Sequence, residues 1–163
     1  MKILNKLAGF FVIEFLISLL IIGILFAISI PIYQVYSNRA KTTEAIMLMS
    51  DVKADIVKYY SYYGKLPNSS KQLNAYVSSG NYISDISLKK NTITAKFAQS
   101  NGSLDNLSLS FTPALAKHGI PKVIKWACGY ASVTDNFVLQ GVNQTNIPPE
   151  YLTKTCRSST GEL

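Results

Sequence analysis

The chain has 163 residues and a mass of 18.0 kDa, room for one domain of ordinary size with an appendage. Its formal charge is +7, from sixteen Lys and Arg against nine Asp and Glu, yet charged residues make up only 15% of the total, below the usual quarter. The 48% apolar content excludes a disordered tail, two cysteines exclude a disulfide-dense miniprotein or a cysteine zinc site, and one histidine, His118, is too few for the common metal and catalytic triads. No catalytic residue, cofactor or metal centre is expected.

The first nine residues, MKILNKLAG, carry Lys2 and Lys6 and no acid. From Phe10 to Ile32 only Glu14 is charged. As a helix this run would be about 34 Å long, enough for a hydrocarbon core of about 30 Å. Positive charge on the short flank holds that end in the cytoplasm, so the rest of the chain faces outward. A signal peptide or plain anchor would share these features, and Ala27-Ile28-Ser29 loosely resembles a small-residue cleavage site. The run is nevertheless longer than an ordinary signal core. A carboxylate inside it costs up to a few kcal/mol at mid-membrane, less if it snorkels to the edge.

Tyr33 to Tyr63 contains neither Gly nor Pro, and Ala45, Met49, Val52, Ile56, Tyr59 and Tyr63 recur at spacings of four and three. That is one apolar stripe on a helix, stopped by Gly64 and Pro67. The stripe would suit a two-stranded coiled coil or the face of a globular head; its shortness and lack of organised flanking charge favour the head. Residues 64–91 read only as a polar connection with a short helix at Lys71 to Val77. Beyond them, Ile93, Ala95 and Phe97 alternate with polar residues as in a half-buried strand. Asn101-Gly102 marks a turn, and Leu107, Leu109 and Phe111 alternate on a second strand. Val123 to Tyr130 gives a third, with Ile124, Trp126, Cys128 and Tyr130 on one face, and Asn136 to Val142 a fourth that Gly141 interrupts. The fold class is α+β: a long N-terminal helix on an antiparallel sheet of about four strands.

Gly9-Phe10-Phe11-Val12-Ile13-Glu14 resembles the processing site of type IV prepilins. Gly23, Pro31, Tyr33, Tyr36, Arg39 and Ala40 continue the match at the spacing of that family's N-terminal helix; Phe11 departs from a frequent threonine. The resemblance implies that a dedicated prepilin peptidase cuts on the cytoplasmic side after Gly9 and N-methylates Phe10. It also implies that Glu14, fifth residue of the processed chain, pairs with the Phe10 amine of a neighbouring subunit during assembly. Pro31 has no amide proton and should bend or loosen the helix, with Gly23 a second weak point. The other end matches too. Trp126-Ala127-Cys128, then Ile147-Pro148-Pro149-Glu150-Tyr151-Leu152 leading to Lys154-Thr155-Cys156, is similar to the pilin carboxy-terminal loop. On the outer side of a membrane disulfides persist, so Cys128 and Cys156 are expected to pair. Such a closure stabilises by roughly 3–4 kcal/mol in the chain-entropy account.

The implied organisation is a leader (residues 1–9), a membrane and filament-core helix (10–32), an amphipathic helix packed on the head (33–63), and a β-sheet head with its disulfide loop (64–163). The implied product is a structural subunit, first held in the inner membrane, then polymerised into a surface pilus used for adhesion, twitching motility or DNA uptake. Its partners would be further copies of itself, minor pilins, the peptidase, the inner-membrane assembly machinery and, as precursor, the membrane. Removing Lys2 and Lys6 with the leader would lower the charge from +7 to +5. Lys89-Lys90, Lys122, Lys125, Lys154 and Arg157, with Trp126 and Tyr130 nearby in sequence, invite a nucleic-acid reading; solvated lysines that aid solubility are the simpler explanation. Asn-x-Ser/Thr sequons begin at Asn68, Asn101, Asn106 and Asn143. A minor pilin acting as DNA receptor or tip component, a type II secretion pseudopilin, and a non-polymerising anchored binding domain are the alternatives.

Overall fold

The computed structural model describes residues 2–73, 79–100, 102–117 and 123–157. Helix α1 spans Lys2–Tyr63 and is followed by strands β1 (Ile83–Lys89), β2 (Thr92–Phe97), β3 (Ser108–Ala116), β4 (Ile124–Cys128) and β5 (Phe137–Leu139). Short 3-10 turns occupy Ser70–Gln72, Pro149–Tyr151 and Lys154–Cys156. The chain forms two compact units, Met1–Ser37 and Asn38–Leu163.

The first unit is helix alone. From Phe10 to Ile32 every side chain is exposed, and the stretch is long and apolar enough to cross a membrane. Pro31 lies inside the helix. Ser18 donates its hydroxyl to the Glu14 carbonyl at 2.9 Å, a local bond that satisfies a polar group within the apolar run.

In the second unit the remainder of α1 lies against the sheet. Ala45, Met49, Val52 and Ile56 are buried as their spacing predicts, and Tyr59 packs half-buried against the same core. Tyr63, predicted to close the stripe, is 65% exposed. The stripe instead extends backwards through two polar residues, Asn38 and Thr42, both buried. Gly64 ends the helix with φ +69° and an amide bond to the Tyr60 carbonyl, a conformation that glycine adopts without penalty.

The sheet is antiparallel, ordered β1-β2-β3-β4, with β5 also paired to β3. β1 comes from the stretch that had no readable period. A bulge between Ile83 and Asp85 explains why. Its apolar residues fall at 83, 86 and 88, and the extra residue returns Ile83 to the core face opposite Phe97, while Ile86 faces Ala95 and Leu88 faces Ile93. The β1–β2 hairpin turns on Lys90 and Asn91, both with positive φ. Two such residues twist with the flanking strands, a job sequence rules assign to Asn-Gly. The later strands are shorter than expected: Ile124–Cys128 rather than Val123 to Tyr130, and Phe137–Leu139 rather than Asn136 to Val142. The helix expected over Lys71 to Val77 runs into residues 74–78, outside the described residues; what is described there is the turn Ser70–Gln72.

β3 is central and buried on both faces. Its partner on one side is β2 as far as Phe111, and β5 takes over from Ala114. Pro113 falls in the gap between them, where its missing amide proton breaks no ladder bond, and its carbonyl accepts from the Gln140 amide at 2.8 Å. The chain then crosses the face of the sheet opposite α1. Gln144 donates its amide to the Ser110 hydroxyl (2.8 Å), the Thr145 hydroxyl accepts from the Ser110 amide (3.0 Å), and Asn146 accepts from the Ser108 amide (2.7 Å). These bonds satisfy the amide and hydroxyl of the buried Ser110.

Candidate functional site

Gly9 and Phe10 lie within α1, and Phe10 is exposed. Phe10 and Glu14 are four residues apart and therefore share a helix face. Among the described residues no cation lies within ion-pair distance of the Glu14 carboxylate. A methyl group added at Gly23 would meet nothing within 4 Å, so packing within the subunit does not require a glycine there. From Phe10 to Ile32 the helix presents an apolar surface whose one charged group is the exposed Glu14.

The head carries its second cluster where the carboxy-terminal segment meets α1. Cys128, at the end of β4, is bonded to Cys156 with the two Cα atoms 4.6 Å apart. Gly129 follows with φ +56°, and a Cβ there would lie 2.6 Å from the Cys156 carbonyl oxygen. Its amide bonds the Ser110 carbonyl, and the next amide, of Tyr130, bonds the Cys156 carbonyl (both 2.9 Å). From the helix, Arg39 donates Nε to the Glu150 carbonyl and Thr42 donates its hydroxyl to the Tyr151 carbonyl, each at 2.8 Å. Arg157 donates Nε to the Leu152 carbonyl at 3.1 Å and Nη2 to the Glu150 carbonyl at 3.3 Å. Ile147, Leu152 and Cys156 fill the space beneath, almost fully buried. Two arginines, a threonine and a disulfide thus hold a segment that has only single-turn secondary structure of its own.

Of the proposed nucleic-acid residues, Lys125, Lys154 and Arg157 are among the described residues. Arg157 is committed to those loop carbonyls. Lys125 extends its ammonium to the Thr134 hydroxyl (3.4 Å) and over the Phe137 ring, 4.3 Å from its centroid. Lys154 is exposed on the turn before Cys156. Lys122, His118 and Asn101 lie outside the described residues. Of the sequons, Asn143 spends its side-chain amide on the Gly129 carbonyl at 2.7 Å, which opposes modification there.

Lys53, by sequence one of the polar residues of the helix, takes a place against the sheet. Its ammonium stands 4.2 Å from the Phe111 ring centroid and 6.0 Å from that of Trp126, on the helix face that meets the sheet. Burial lowers its pKa below the ordinary 10.5, while the ring faces offset part of the lost hydration. Glu44, one of the polar helix residues, receives the Asn81 amide at 2.6 Å and so pins the segment leading into β1. Neither role leaves a local signal, because both partners are distant in sequence.

A family model described as pilin (bacterial filament) matches residues 38–157. A fimbrial protein of Neisseria meningitidis serogroup B is 31% identical over 164 residues, covering 93% of this chain and 94% of the relative. A protein of Neisseria gonorrhoeae named type IV major pilin protein PilE1 is 32% identical over 161 residues, with the same coverage. The fimbrial protein EcpC of Eikenella corrodens is 29% identical over 153 residues, covering 93% and 91%.

Proposed function

The chain belongs to the type IV pilins, structural subunits of bacterial filaments, and from that premise we propose that it is a filament-forming main subunit made as a membrane-held precursor. The observation that carries this reading is the exposed apolar helix surface from Phe10 to Ile32 with one acid, Glu14. Such a surface needs a nonaqueous partner at every stage, lipid before assembly and neighbouring helices after it. Removal of residues 1–9 after Gly9 would create a new amine at Phe10, N-methylated by the same peptidase. That cation answers the energetic problem of Glu14, whose burial without a partner would be costly. The major-pilin names of the relatives favour a principal over a minor subunit. They equally favour it over a secretion pseudopilin or a lone anchored domain.

The deciding experiment is intact mass and amino-terminal sequencing of protein from sheared surface filaments. The expected product starts at N-methylated Phe10. A chain starting at Ile30, after the alternative small-residue site, overturns the reading. Adhesion, twitching and DNA uptake would then be properties of the whole fibre. Lys122, Lys125 and Lys154 are three lysines offered to DNA phosphates, beside Arg157, whose Nε and Nη2 also hold loop carbonyls. Binding that falls steeply with salt, and less so after all three become Gln, supports that contact. Unchanged binding by the triple variant rejects it.

A further inference from the structure

The last two turns of α1 form one side of a cleft of about 380 Å³, lined by Asp55, Lys58, Tyr59, Tyr62, Tyr63 and, from the turn that follows, Gln72. The helix residues fall at i, i+3, i+4, i+7 and i+8, which brings all five to one face. Tyr59 and Tyr63 stand with centroids 4.5 Å apart and planes tilted by 38°, and Tyr62 is 84% exposed. Tyr62 and Tyr63 leave large ring surfaces in water beyond what the core uses.

The polar atoms narrow the ligand. Asp55 and Lys58 form an ion pair at 3.1 Å, so the carboxylate is already compensated and the wall is neutral. A quaternary ammonium, which aromatic cages otherwise suit, would meet the Lys58 ammonium. A phosphate would find one cation, and that one engaged. Gln72 accepts the Asn68 amide on Oε1 at 2.7 Å, which leaves its NH₂ group to donate. The second Asp55 oxygen and the tyrosine hydroxyls accept or donate beside flat ring faces. Planar apolar surface rimmed by fixed, uncharged or compensated hydrogen-bonding groups matches a pyranose, whose C–H face stacks while its hydroxyls bond at the edge. We propose that this tyrosine cleft at the end of α1 binds a neutral saccharide. The cleft is at the small end of the usual range for ligand sites and open to solvent, so affinity for one or two sugar units should be millimolar. The proposal is independent of assembly, because every residue it uses belongs to the head of a single subunit.

The test uses the full chain as a monomer in a polyoxyethylene detergent, which carries neither a sugar nor a choline head group. Saturation-transfer NMR is run with methyl β-glucopyranoside, methyl β-galactopyranoside, cellobiose and lactose as probes, and with choline chloride as the competing chemistry. The expected result is transfer to the ring C–H protons of at least one sugar. Binding should weaken roughly tenfold in Tyr62→Ala/Tyr63→Ala, two exposed positions whose loss leaves the fold intact by circular dichroism. Gln72→Leu should also weaken it while preserving the rings. No transfer to any sugar overturns the proposal, as does equal transfer in the double variant. Transfer to choline in place of the sugars overturns the ligand class.

Discussion

Gly129 is the residue on which the head depends most narrowly. Its positive φ and the 2.6 Å that a Cβ would leave to the Cys156 carbonyl act together, and backbone cannot retreat as a side-chain end would. Gly129→Ala should destabilise the head by about 1–3 kcal/mol, read as a lower urea midpoint with the disulfide still formed. Lys53 offers a second test with an unusual sign. Its pKa is lowered on folding by burial, so between the lowered value and 10.5 the unfolded chain holds more protons than the folded one. Stability contributed by this group therefore rises with pH through that window and is lowest where both states are charged. Lys53→Met keeps the stem and removes the ammonium. The variant should show a smaller gain in urea midpoint between pH 7 and pH 10 than the parent; an identical gain in both would remove Lys53 as the cause.

At the scale of elements, α1 and the carboxy-terminal segment are joined by few bonds, each of which matters. Thr42 is fully buried, and its hydroxyl serves the Tyr151 carbonyl. Thr42→Val preserves shape but strands that carbonyl, which costs about 1–3 kcal/mol. The expected outcome is faster amide exchange in residues 150–157 with little change in β1 or β2. These bonds also mark the limit of what the sequence discloses. Ala45 to Ile56 were legible because apolar side chains recur with the helix period, and the β2 and β3 patterns because one face of each is apolar. Asn38 and Thr42 lie on the same stripe yet are polar, so hydropathy stops where the packing continues. β1 was hidden by its bulge, which breaks the period of two, and by a Lys-Asn turn where glycine would have announced a hairpin. The exposed apolar helix from Phe10 to Ile32 was legible because its hydropathy is unbroken; Lys53, Glu44 and the tyrosine cleft depend on pairings that only folding creates.

For the whole molecule the central expectation concerns assembly. In a lone anchor Glu14 is a liability, so Glu14→Leu would preserve or improve membrane retention. In a filament built on the proposed pairing the same change would leave each Phe10 amine without its counter-ion, and breaking a buried pair costs about 3–5 kcal/mol. The cost recurs with every subunit added. Cells whose only copy carries Glu14→Leu should make, cleave and retain the protein but display scarcely any filaments by electron microscopy and shearing. Normal filament numbers would assign the assembly role elsewhere.

The bond between Cys128 and Cys156 has a mechanical consequence as well as a thermodynamic one. A fibre under load lengthens where a subunit pays out chain from its weakest point. The covalent link withholds the residues between the two cysteines from that extension, about 90 Å of stretched backbone per subunit. The loop stays a closed ring after the sheet has yielded, although its bonds to Ser108, Ser110, Arg39 and Thr42 go with the elements that carry them. Under single-molecule tension, reduction of the disulfide should lengthen each unfolding step by that amount. In the oxidised fibre the 128–156 segment would remain a covalent ring under loads that extend the rest of the head.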